Sequence, residues 1–457
     1  MHQSKATPWI AGNLFSKPVD AGFLDPTNDQ TEEQHMKFTL ACTTLALASF
    51  VSGAGAAEGP TPRGVPHVDH IFVIMMENHG YSQIANNPNA PFVNSLARSA
   101  NLATNYFAIA HPSLNNYLEV VGGSNFGVLS DNDPDWHNTG CATNLASGVP
   151  NTDNPASSTI CPISGVGTDA AVVAIDTTNE STGAPGTINI DGIQSIPAAR
   201  STLGATIADQ LARAGKSWTT YQENLPLEGP DRVNYSDGVF TNLTEFSKIS
   251  PALNLPLTSG SIVKQYAAKH NPFVYFRSVQ EGTDANLSYR NIVGFDGERG
   301  LYADLRADHV ANYAFIAPNQ CNDQHGRGNA GAFCNYDPND NGTQAGLNPA
   351  LIYAGDVTVR KLVSAIKASK AWRDDDRRSA IVVLWDENDY STVPNTNQVM
   401  LIVDTNYGVH GVVSSKRYNH FSLLKSIESG LGLPCLNHAC DANVDVMSDL
   451  FAEGQRR

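Results

Sequence analysis

The chain is short of positive charge: 29 Lys and Arg face 45 Asp and Glu among 457 residues, a formal net charge of −16. That balance excludes a broad nucleic-acid or anionic-membrane surface, since both recruit clustered Lys and Arg. It leaves an anionic substrate open, because a bound metal ion reverses the local field of an acidic site. No apolar run beyond Val51 has the length of a bilayer span. No segment repeats at a fixed period, so solenoids and propellers are excluded. Cysteine is scarce at seven, and no Cys-x-x-Cys pair is present to build a structural zinc site.

What is present is apolar material for a large core, 41% of residues, in a length that would hold two or three domains. The alternation described below reads instead as one α/β domain over residues 66–452 with long insertions. Met36-Lys37-Phe38 opens a basic start, an apolar run continues to Val51, and Ala54-Gly55-Ala56 supplies a small-x-small cleavage pattern. Residues 36–57 are read as a secretory signal peptide, and residues 1–35 as an unstructured extension or an over-called start. A secreted or periplasmic protein is expected. Without Cys42 of the signal, six cysteines remain as near neighbours: Cys141 and Cys161, Cys321 and Cys334, Cys435 and Cys440. An even number in an oxidising compartment predicts local disulfides, nearest-neighbour pairing being one of 15 formal connectivities.

His70–Met76 is a short apolar run rich in β-branched residues, which suits a buried parallel strand. Residues 91–100 read as an amphipathic helix, 201–214 as a second, and 217–221 as a strand after Gly215. Phe273–Phe276 and Tyr313–Ile316 are expected as strands, Asp356–Ser369 as a helix, Ala380–Trp385 and Val399–Val403 as buried strands, and His420–Ser429 as a helix. Ser124–Ala198 and Asn329–Asn348 look like surface insertions. The pattern predicts an α/β sandwich on a mostly parallel sheet, a fold that gathers ligands at the carboxyl ends of its strands.

Three polar clusters stand at such ends: Glu77-Asn78, Asn319 to His325 and Asp386-Glu387. Adjacent carboxylates after a buried strand repel one another unless a cation or solvent intervenes. Oxygen-rich sets of this kind suit Ca²⁺, Mg²⁺ or Mn²⁺, and a His among them opens the way to Zn²⁺. Asn322, Asp323 and His325 lie close together in the second cluster, and His420 opens a helix. Ser113, in His111-Pro112-Ser113, also stands at a helix start, where a Ser ordinarily caps. The same position favours a bound anion such as phosphate.

Together these segments resemble the phosphoesterase family of bacterial secreted acid phosphatases and phospholipases C, a branch of the alkaline phosphatase-like superfamily. The matching pieces are Ile74–His79, His111–Tyr117, Trp218–Glu223, Pro318–His325, Leu384–Glu387 and Tyr418–Leu424, in family order from His70 to Leu433. The resemblance implies a three-layer sandwich and a metal-bound Ser113 nucleophile, with Glu77, Asn78, Asp386 and Glu387 completing the metal site. It implies one or two divalent ions, Ca, Mg, Mn or Zn. Asp323, His325 and His420 are candidates for a second ion or for phosphate contact and leaving-group protonation, and His111 for the same acid role. Asn116 matches a phosphoryl contact, and Asn322 is a further substrate-binding candidate. Asn115 replaces the Pro usual in the family's Ser-x-Pro-Asn-Tyr segment, which loosens the placement of Asn116. No Cys/Ser-x-Pro-x-Arg motif surrounds Ser113, which disfavours the sulfatase branch. The implied activity is phosphomonoester hydrolysis through a phosphoserine, on a small-molecule or lipid phosphate ester. The rivals are a phosphodiesterase or phospholipase C on lipid headgroups, and a non-catalytic exported binding protein.

Overall fold

His70–Met76 is buried along its whole length, and that follows from its neighbours: parallel strands flank it on both sides. A strand covered on both faces loses its period-two alternation and reads as a continuous apolar run. A computed structural model describes residues 58–126, 128, 131, 204–225, 265–327, 330–389 and 396–454. All of them fall in one compact unit.

In chain order the strands are β1 (His70–Met76), β2 (Asn101–Phe107), β3 (Trp218–Gln222), β4 (Ile292–Gly294), β5 (Tyr313–Ala317), β6 (Ser379–Trp385), β7 (Gln398–Thr405), β8 (Val413–Ser414) and β9 (Tyr418–Asn419). Across the sheet they run β4-β3-β5-β1-β6-β7-β2-β8, with β9 also paired to β2. Among the described strands, only β7 runs antiparallel to its neighbours, β6 and β2. The mixed α/β architecture with a central, mostly parallel sheet is the one the sequence pattern predicts.

The main helices are α1 (Pro91–Ser99), α2 (Ser113–Gly122), α3 (Ile207–Arg213), α4 (Leu301–Ala307), α5 (Pro349–Ala368) and α6 (His420–Leu431). They pack in two groups: α2 against α3 and α6, and α1 and α4 against α5. Helix α2 ends at Gly123, at φ 69°, where a Cβ would lie 2.4 Å from the Leu436 carbonyl oxygen. Only glycine satisfies both the left-handed cap and that close approach. Asn419 caps α6 by accepting the Ser422 N–H at 3.0 Å.

Two sequence expectations are corrected. Phe273–Phe276 is not a strand; Pro272–Tyr275 form a buried 3₁₀ turn closed by Val274 N–H to the Asn271 carbonyl at 3.3 Å. A four-residue apolar run carries no period that separates the two states, and Asn271-Pro272 favours the turn. Helix α5 starts at Pro349, well before Asp356, because Asn348 caps it and Pro sits comfortably in the first turn. Strand β2 was not foreseen at all. Cys321–Cys334 and Cys435–Cys440 are disulfides, as nearest-neighbour pairing expects. The Cys141–Cys161 pair, residues 1–35, the signal segment and most of Ser124–Ala198 lie outside the described residues.

Candidate active site

Sheet register delivers the acidic residues. Met76 and Trp385 are partners in the parallel β1–β6 ladder, so the next residue on each strand, Glu77 and Asp386, emerges at the same edge. The Asp386 N–H continues the ladder to the Met76 carbonyl at 3.0 Å, and the Glu77 N–H reaches the Asp323 carbonyl at 2.9 Å. Three strand ends are thereby stitched together before any side chain is considered.

Helix α2 aims its first residue at this edge. Ser113 Oγ donates to Glu77 Oε1 and lies 3.2 Å from Glu387 Oε1. The other Glu387 oxygen, Oε2, meets His111 Nδ1 and Asn116 Nδ2, each at 2.9 Å. One turn along α2, the Tyr117 hydroxyl donates to Glu77 Oε2 at 3.1 Å. His270 spans two carboxylates, with Nε2 2.6 Å from Glu77 Oε2 and Nδ1 3.2 Å from Asp323 Oδ2. Its ring stacks on Tyr117, centroids 5.1 Å apart.

Glu77, Ser113, Asp323, Asp386 and Glu387 are all buried. Burial, reinforced by Glu77 and Glu387, pushes the Asp386 carboxyl well above the usual range. Burial raises Glu387 to about 7 against the opposing charge of His111, and Asp323 to about 6 against that of His270. Burial acts the same way on Glu77, but His270 and Lys269 outweigh it and hold that carboxyl below its ordinary value. Burial alone would lower His270; Glu77 and Asp323 reverse this and raise it to about 9. A group of acids that resist ionising is short of positive charge.

A divalent cation fits that shortage. Ligand atoms of Glu77, Asp386 and Glu387 lie within 4.8 Å of one another. Both Asp386 carboxylate oxygens are buried without a hydrogen-bond partner among the described residues. Such groups are rare unless something outside the chain satisfies them. A second group, Glu77, His270 and Asp323, meets the same distance limit and shares Glu77 with the first. Oxygen donors alone suit a hard ion at the first position; His270 would widen the choice at the second.

Other sequence candidates are placed differently. Asn78 is half-buried beside Glu77. Asn116 is spent on structure: its Oδ1 accepts the Ile109 and Ala110 N–H groups, both at 3.1 Å, and its Nδ2 also reaches the Ala110 carbonyl at 2.8 Å. Asn322 donates to Glu223 at 2.9 Å rather than toward Ser113. His420 is not grouped with Asp323 and His325 but lies against Asp386. Its Nε2 lies 2.6 Å from the Asp386 carbonyl and its Nδ1 takes the Tyr106 hydroxyl at 2.8 Å, and burial lowers it to about 4. It is a neutral prop for the Asp386 backbone. His325 faces the His270 ring edge-on at 5.8 Å, donates from Nδ1 to the Gly326 carbonyl at 2.8 Å, and presents Nε2 to Lys269 Nζ at 3.4 Å. Burial and Lys269 lower it to about 4.

Sequence reading missed His270, Lys269 and Asp131, whose Oδ2 lies 3.0 Å from Lys269 Nζ. Their signal was slight: a His before the Asn271-Pro272 turn, in a stretch without periodicity.

The chain is 23% identical over 406 residues to an acid phosphatase of Aspergillus fumigatus, covering 87% of this chain and 64% of that protein. It is 26% identical over 378 residues to a phosphate-repressible acid phosphatase of Penicillium chrysogenum, covering 82% and 62%. It thus spans just under two thirds of each of these relatives. A phosphatidylinositol-3-phosphatase of Mycobacterium tuberculosis is 24% identical over 400 residues, 87% of both chains. Among solved structures, a protein of the alkaline phosphatase superfamily from Vibrio parahaemolyticus superposes with a TM-score of 0.41 at 11% identity, covering 84% of this chain and 73% of that one. A sequence profile of the Phosphoesterase family matches residues 84–335, more than half of the chain, and the protein belongs to that family.

Proposed function

We propose that the protein is an exported, metal-dependent phosphatase that hydrolyses phosphate monoesters through a phosphoserine on Ser113. The observation that carries this reading is Ser113 Oγ held between Glu77 and Glu387, beside an Asp386 carboxylate with no partner among the described residues. The relatives above bear the names of phosphatases, which favours monoesters over the diester and phospholipase C alternative. The mycobacterial relative is named for a lipid-borne monoester, so lipid phosphates belong in the substrate panel beside soluble ones. Two disulfides suit an oxidising compartment, and no described helix is long and apolar enough to cross a membrane.

A divalent ion held by Glu77, Asp386 and Glu387 would lower the pKa of the Ser113 hydroxyl and neutralise charge developing on the phosphoryl oxygens. The chain's own residues do the rest. Ser113 Oγ passes its proton toward Glu77 Oε1 or Glu387 Oε1 and attacks phosphorus in line with the leaving oxygen. Tyr117 and His270 fix the Glu77 carboxylate from its far side, while Asn116 and His111 fix Glu387. On this reading His111 carries the proton to the leaving oxygen. His325 turns an Nε2 lone pair to Lys269, and His420 has both ring nitrogens engaged. Water then cleaves the phosphoserine, and inorganic phosphate leaves.

The test is Ser113→Ala against an aryl phosphate. A loss of about 10⁴-fold or more in kcat is expected, with an unchanged melting temperature. Rapid quenching of the native enzyme should trap phosphate on Ser113. Near-native turnover by the variant would remove the nucleophile assignment.

A further inference from the structure

Beside the nucleophile stands an ion pair that the mechanism above does not use. Asp131 Oδ1 accepts the Leu114 N–H at 3.0 Å, and its Oδ2 meets Lys269 Nζ at 3.0 Å. Leu114 directly follows Ser113, so this N–H belongs to the first turn of α2, where peptide dipoles favour an anion. Lys269 Nζ is also 3.4 Å from His325 Nε2, and its side chain is only 11% exposed. The ammonium therefore lies between the helix start and the His270–His325 ring pair. Its field reaches both Glu77 and Asp386.

A carboxylate bridging a main-chain N–H beside the nucleophile and a buried ammonium resembles, in charge and donor geometry, two non-bridging oxygens of a phosphoryl group. We propose that Lys269 selects substrates by charge: the phosphoryl oxygens of a monoester dianion displace the Asp131 carboxylate from Lys269 and the Leu114 N–H. The inference rests on the phosphatase reading and sharpens its substrate class. A site built from buried carboxylates repels a dianion, and a fixed cation offsets that repulsion in proportion to the charge it meets. A diester brings one negative charge fewer and gains correspondingly less. Asp131 keeps the ammonium paired while the site is empty, so the buried charge is never left alone.

The experiment compares an aryl monoester with a diester of the same leaving group in wild type, Lys269→Met, Lys269→Arg and Asp131→Asn. Loss of the ammonium should lower kcat/KM for the monoester by about 10²–10³-fold, the cost of removing one oxyanion donor, and for the diester by about tenfold at most. Lys269→Arg should recover part of the ratio, because it restores the charge. Asp131→Asn removes the competing carboxylate, so inorganic phosphate should bind it several-fold more tightly by calorimetry. Equal losses on both esters would show Lys269 to be a structural partner of Asp131 and overturn the proposal. So would weaker or unchanged phosphate binding by Asp131→Asn, a variant that also decides the matter if Lys269→Met does not fold. A wild type that turns over neither ester sinks the phosphatase reading instead. Phosphate binding to the Lys269 and Asp131 variants then judges the charge-selection site by itself.

Discussion

Two acidic groups stand at the ends of the same two strands, and they differ in whether the chain satisfies them. Glu77, Asp386 and Glu387 follow β1 and β6 directly; His79 and Asp389 come two residues later on each segment and are joined by Asp337. Both groups bring ligand atoms within 4.8 Å of one another. In the outer group every member has a partner. His79 Nε2 meets Asp337 Oδ2 at 2.9 Å, Asp337 Oδ1 accepts the Asn348 N–H at 2.6 Å, and Asp389 accepts from Gln83 Nε2. Burial works against a charge on His79, yet Asp337 and Asp389 raise its pKa and so favour its protonated form. The inner group offers Asp386 nothing comparable among the described residues. Proximity of carboxylates alone does not mark a metal centre; an unsatisfied demand for positive charge does.

The largest effect that would break this comparison is on turnover. Asp386→Asn should lower kcat by about 10³-fold or more and reduce bound metal measured by plasma mass spectrometry, since it removes a charge aimed at the ion. Retained metal with retained rate would mean that the inner group is closed in some other way. The variant should not lose stability in metal-free buffer, where the native carboxylate is buried without compensation.

The second effect is on stability against pH in the metal-free protein. Asp323 and Glu387 have folded values raised to about 6 and about 7, Asp386 is raised further, and His270 is raised to about 9. Each raised group contributes stability that is full below its unfolded value and lost as pH rises through the folded one. Glu77 runs the other way, but its contribution is fully present above its ordinary value and changes only in stronger acid; His325 and His420, lowered to about 4, also run the other way and offset part of the loss. The chelated protein should therefore melt at lower temperature at pH 8 than at pH 5. Restoring the metal should cancel much of the difference. A chelated protein whose melting temperature rises from pH 5 to pH 8 would contradict the burial assigned to these acids.

Sequence legibility divides along physical lines. Glu77, Asp386 and Glu387 were readable because uninterrupted apolar runs mark strands buried on both faces, and polar residues must follow where such strands end. Ser113 was readable only in company, since a Ser at a helix start has an ordinary capping role. His270 was not readable: it precedes a 3₁₀ turn whose four buried residues have no distinguishing period. His420 stands at the expected strand end, but the direction of its imidazole depends on a main-chain carbonyl two segments away, which the sequence does not show. Asn116 and Asn322 show the same limit of the sequence; amides that suit a phosphoryl oxygen are engaged here by backbone and by Glu223. Strand β2 was hidden by its composition, since NLATNYF alternates poorly even though it pairs with β7, β8 and β9.

The smallest effect sharpens the comparison from the outer group. Asp337→Asn removes the carboxylate that pairs with buried His79 and favours its protonated form, and a buried imidazolium without that partner is costly. Stability should fall by about 2 kcal/mol, less than for a fully enclosed pair because Asp337 keeps some solvent contact. Metal content and kcat should stay near the wild-type values, which is the reverse of Asp386→Asn. The stability loss should disappear in the double variant His79→Gln with Asp337→Asn, because the remaining amides need no charge between them. If Asp337→Asn instead releases metal in proportion to its concentration of folded protein, the outer group is a cation site as well. Self-satisfaction would then no longer separate the two groups.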